Sequence, residues 1–100
     1  MKKIELEDTK VGDCIKLTQE VNNDGKDILY FIVDKKTKKG INSNKIFSFK
    51  EDKFEQIYRL SEFTFSKEGW YWEETKVELF KLTEDEYYSI VGKYGIADVL

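Results

Sequence analysis

Ile28-Leu29-Tyr30-Phe31-Ile32-Val33 is a run of six apolar residues with no charge and none of the polar gaps that a helix face would leave. A run this short, rich in β-branched and aromatic side chains, is a strand buried on both faces. A turn signal precedes it (Asn22-Asn23-Asp24-Gly25) and a basic segment follows it (Lys35-Lys36-Thr37-Lys38-Lys39-Gly40), which bounds its length. A strand without a polar face needs cover above and below, so the rest of the chain must supply two layers.

Working outward, Val11-Gly12-Asp13 is a turn that launches Cys14 to Val21, a second strand and the partner of the first. A two-residue loop at Asn-Asp or Asp-Gly would put Ile15, Leu17, Gln19 and Val21 on the face of Ile28, Tyr30 and Ile32. A second hairpin is expected from residues 45–60 around the polar stretch Lys50-Glu51-Asp52-Lys53. Its four-residue loop sets Phe49 opposite Phe54 and Phe47 opposite Gln56, with the aromatic face inward and Ile46 and Ile57 turned away. A third hairpin over 62–82 would place Trp70 and Trp72 in the core with Val77 and Leu79, leaving Tyr71, Glu73 and Glu78 on the outer face.

The period changes at Thr83. Thr83-Glu84-Asp85-Glu86 is a capping box, and its three acids suit the positive end of a helix dipole. Tyr87, Ile90, Val91 and Tyr94 then recur at helical spacing, so a helix over about 84–94 is expected, closed by Gly95 and followed by an apolar tail, 96–100, tied down against the body. The fold class is therefore mainly β (α+β), one domain over 1–100: a small, partly open antiparallel barrel or bent sheet of about six strands with hairpins at 14–34, 45–60 and 62–82, SH3-like or OB-like in style, and one C-terminal helix. The entry Lys10-Val11-Gly12-Asp13-Cys14-Ile15 resembles the first strand of many SH3-like barrels, over those six residues alone.

The chemistry is limited by what is absent. There is no histidine, so the commonest general base is missing and neither a Cys-His nor a Ser-His nucleophile can be assembled within the chain. Glu73-Glu74 and Glu84-Asp85-Glu86 are neighbours in sequence and do not converge as a catalytic carboxylate pair would. The glycines are scattered singly, with no phosphate loop or dinucleotide fingerprint. The single cysteine, Cys14, reads as a small buried apolar residue. Neither metal nor cofactor is expected, and a non-enzymatic protein is. No apolar run reaches the length of a membrane span and Met1-Lys2-Lys3-Ile4-Glu5 carries no signal-peptide core, so the expected location is cytoplasmic.

Charge points to the partner. The formal net charge is −3, but residues 1–50 carry eleven lysines against eight acids, and residues 51–100 carry six basic residues against twelve acids. The leading expectation is a small binding protein that engages a basic protein surface through an acidic, aromatic face made of Tyr71, Glu73, Glu78, Glu84, Asp85 and Glu86, in the manner of immunity proteins or of phage and mobile-element inhibitors of nucleic-acid-handling enzymes. The alternative is a nucleic-acid-binding module using Lys35, Lys36, Lys38 and Lys39, with Phe47, Phe49, Tyr58 or Tyr71 as stacking faces. A structural subunit of a larger assembly is the third possibility.

Overall fold

A computed structural model describes residues 1–20, 25–59, 64–67 and 76–99, apart from the side chains of 64 and 95–99. Its elements are β1 (Lys2–Ile4), a 3₁₀ turn (Leu6–Asp8), β2 (Cys14–Glu20), β3 (Lys26–Ile32), β4 (Lys35–Lys36), β5 (Gly40–Asn42), β6 (Lys45–Lys50), β7 (Lys53–Arg59), β8 (Thr64–Ser66), β9 (Glu78–Leu82) and α1 (Glu84–Val99). Six strands form an antiparallel sheet in the order β1-β9-β2-β3-β6-β7, and β4-β5-β8 form a second, smaller one. Among the described strands the larger sheet is open, with β1 and β7 at its two edges.

β3 is the expected central strand, flanked by β2 and β6 and covered twice. On one face Leu29, Phe31 and Val33 pack with Ile15, Leu17 and Leu79 against Ile41 and Phe65 of the small sheet and Leu6 of the 3₁₀ turn. Phe31 and Phe65 stack with ring centroids 4.6 Å apart. On the other face Tyr30, Phe47, Phe49 and Leu82 pack beneath Tyr87 and Val91 of α1. The helix is thus one covering layer and the small sheet the other.

The first hairpin forms, but its facing differs from expectation. Ile15 pairs with Phe31 and Leu17 with Leu29, not with the face of Ile28, Tyr30 and Ile32. The closing pair is Glu20 with Lys26, so residues 21–25 make a five-residue connection, and an odd loop reverses the parity that a two-residue turn would impose. Lys16 and Thr18 consequently share the helix-side face with Tyr30 and Ile28, and Lys16 lays its ammonium toward the Phe80 ring, 6.0 Å from the centroid.

In the second hairpin Phe49 faces Phe54 as expected, but beyond it Ser48 pairs with Gln56 and Phe47 with Ile57. The register shift leaves Glu55 as an extra residue on β7, a bulge that returns Ile57 to the aromatic side and leaves Ile46 opposite Tyr58. Of the expected third hairpin, the described strands do not pair with each other: β8 pairs with β5, and β9 has β1 on one edge and β2 on the other. Trp70, Tyr71, Trp72 and Glu73 lie outside the described residues.

At α1 the capping box is made. Thr83 Oγ1 accepts the Glu86 backbone N–H at 3.1 Å, and Glu86 Oε1 accepts the Thr83 N–H at 2.8 Å. The helix does not end at Gly95 but runs to Val99, taking in most of the expected tail. Glycine stops a helix only when it turns left-handed; within one it costs about 1 kcal/mol relative to alanine, and no proline follows to enforce a stop.

Candidate anion-binding site

The basic segment, expected as a loop, is a hairpin. Lys35 pairs with Asn42 and Lys36 with Ile41, and the Thr37 N–H donates to Gly40 O at 2.9 Å across the turn. The Thr37 hydroxyl accepts the N–H groups of Lys39 (3.2 Å) and Gly40 (3.3 Å), the local side-chain bonding by which threonine stabilises a tight turn. Two residues in β4 and three in β5 give no alternating pattern, which is why periodicity does not reveal them. Gly40 is required: a Cβ there would stand 1.9 Å from the carbonyl oxygen of Phe65, so β8 can lie against β5 only over a glycine.

Lys36 holds this hairpin to the body. Its ammonium donates to Glu7 O at 2.6 Å and to Thr9 O, both on or beside the 3₁₀ turn, and Thr9 is itself fully buried with its hydroxyl on Leu6 O. Lys35, Lys38 and Lys39 are exposed, and among the described residues none of them has a carboxylate partner. One expected contact lysine is thus structural, and three present bare charge.

Between the 3₁₀ turn and the hairpin lies a cleft of about 230 Å³ lined by Leu6, Glu7, residues 36–40 and Lys67. Among the described residues, four lysines and one glutamate line it, a formal +3 on a protein whose total is −3. Glu7 Oε1 and Lys67 Nζ are 2.9 Å apart across the cleft. The hydrogen bond from Lys67, with one from the backbone, holds the Glu7 carboxyl below its ordinary range, so it is ionised at neutral pH. Glu7 and Lys67 carry no signal in the sequence; pairing of Ser66 with Gly40 alone brings residue 67 to the hairpin.

Among the described residues, the acidic candidates Glu78, Glu84, Asp85 and Glu86 are spread over β9 and the first turn of α1. Tyr71 and Glu73 lie outside the described residues. Glu78 pairs with Lys3 at 3.2 Å, and Glu86 is engaged by the capping box and by the Met1 ammonium at 3.0 Å. Glu84 and Asp85 are exposed at the start of α1, separated from Glu78 by the length of β9, on which Lys81 lies opposite Lys2 and pairs with Asp13. Of the aromatics expected as stacking faces, Phe47 and Phe49 are instead buried beneath α1, because alternation turns them inward; Tyr58 is partly exposed on the edge strand.

Among the described residues no group of three or more histidine, cysteine or acidic side chains is placed to hold a metal ion. No helix among them is long and apolar enough to cross a membrane. No family model matches the chain, and no significant similarity is found to a curated protein or to a solved structure.

Proposed function

We propose that the protein is a non-enzymatic binding domain that engages the phosphate backbone of a nucleic acid through the β4–β5 hairpin. The observation that carries this reading is the set of three exposed ammonium groups, Lys35, Lys38 and Lys39, on a hairpin held in place by the Lys36 ammonium on Glu7 O and Thr9 O. Side chains on an anchored hairpin lose less freedom on binding than those of a mobile loop, and phosphate contacts need charge but no base-specific geometry. With the phenylalanines inside, contact is to the backbone and indifferent to sequence.

Binding to a fluorescent single-stranded oligonucleotide, followed as salt is raised, tests the proposal. Each phosphate contact contributes roughly −0.7 to the slope of log affinity against log salt on a single strand, so three contacts predict a slope of about −2. Replacing Lys35, Lys38 and Lys39 with serine while keeping Lys36 should remove most of that slope without lowering the melting temperature. Absence of binding at low salt, or a triple variant that binds like the parent, rejects it.

A second reading, a partner protein with a basic surface gripped by acidic side chains, is favoured by Glu84 and Asp85, which are exposed and without ion pairs among the described residues. It is the better reading if the oligonucleotide does not bind and a pull-down partner is lost on changing Glu84 and Asp85 together to lysine.

A further inference from the structure

The cleft beside the hairpin has a feature that a strip of surface lysines lacks: an anion of its own. Glu7 reaches across to Lys67, and its side chain is 64% exposed. We infer that the cleft is a site for a terminal phosphate monoester at the end of a nucleic-acid strand, and that the Glu7 carboxylate is its built-in competitor for Lys67. This rests on reading the hairpin as the nucleic-acid contact, and it adds where along the strand the protein sits.

Size and charge together select the terminus. A cleft of about 230 Å³ is smaller than the roughly 300–1,000 Å³ typical of pockets that enclose a whole ligand. It has space for a phosphate and the sugar atoms attached to it, with the base left outside. A phosphate monoester carries close to two negative charges at neutral pH, whereas an internal phosphodiester carries one. Displacing Glu7 costs the Lys67–Glu7 pair, and an incoming dianion restores that contact and has charge left for Lys38 and Lys39, while a monoanion only replaces the carboxylate. Lys36 takes no part, since its ammonium is already given to two carbonyl oxygens.

The test compares oligonucleotides of one sequence carrying a 5′-phosphate, a 3′-phosphate or hydroxyls at both ends, titrated into the full chain and into Glu7→Gln and Lys67→Gln variants whose melting temperatures are checked. A phosphorylated end should bind about tenfold tighter than the hydroxyl form, the worth of one additional charge-assisted hydrogen bond. Glu7→Gln should widen that preference severalfold, and Lys67→Gln should reduce it to less than twofold. Inorganic phosphate at millimolar concentration should erase the preference without abolishing the residual backbone binding. Equal affinity for all three oligonucleotides overturns the terminal site and leaves the hairpin reading standing. No binding of any of them overturns both, and a preference that Glu7→Gln does not change overturns the competitor role. Inorganic phosphate binding as tightly as the phosphorylated strand overturns the assignment to a strand end.

Discussion

Cys14 shows how far one residue's environment decides its chemistry. It opens β2, is 4% exposed and lies under α1 with Tyr87 and Leu82. Burial, reinforced by the charges of Glu84 and Asp13, pushes its thiol above the ordinary value, so the thiolate that reacts with disulfides is scarce. A colorimetric disulfide reagent at pH 8 should therefore modify the native protein far more slowly than the same protein in denaturant; equal rates would mean that the strand entry is open. Phe31 is the counterpart on the other face, fully buried and stacked on Phe65. Phe31→Ala should cost about 3–5 kcal/mol in denaturant unfolding. Both residues are legible in the sequence, because an apolar run and a cysteine at a strand entry carry their burial with them. Lys36 is not: nothing in Lys35-Lys36-Thr37-Lys38-Lys39 distinguishes the one lysine whose head group is taken by carbonyls across the fold.

At the scale of elements, local chemistry was readable and parity was not. The start of α1 follows from Thr83 and Glu86 alone, and both capping hydrogen bonds are made. Thr83→Ala should lower stability by about 1 kcal/mol, read as a shift in the urea midpoint with an unchanged slope. The same cap has a pH signature. The backbone N–H of Thr83 and the Met1 ammonium hold the Glu86 carboxyl below its ordinary value near 4.5. A lowered folded-state value contributes stability that is fully present above that ordinary value and is lost as pH falls through the lowered one. Acid should therefore weaken the parent more than Glu86→Gln below pH 4.5; identical acid profiles would show that the cap does not titrate. The facing of β2 and β7, by contrast, turns on whether a connection has an odd or an even number of residues and on one extra residue at Glu55. Neither leaves a mark in composition.

For the whole molecule, the claim that β3 needs two covering layers holds, and the layers are the helix and a small sheet whose strands are too short for periodicity to report. Amide hydrogens of residues 28–32 should be the last to exchange, those of the turn at 37–39 among the first; exchange at comparable rates would contradict a sheet in which β3 is flanked on both sides. The candidate site belongs to this scale too. Its hairpin is visible as a cluster of lysines, but the cleft exists only because β8 crosses to β5 and brings Lys67 within reach of Glu7.

The place of β9 between β1 and β2 also sets an order of assembly. As the chain emerges during synthesis, β2, β3, β6 and β7 can pair in turn, yet the outer edge of β2 stays open until residues 78–82 arrive, and β1 lacks its partner strand until then. The aromatic floor of Tyr30, Phe47 and Phe49 waits longer still for α1. A sheet completed by its most distant segment folds slowly for its size and spends that interval with one sticky edge and one sticky face. Arrest of translation before residue 78 would leave a chain prone to aggregate rather than a smaller working domain.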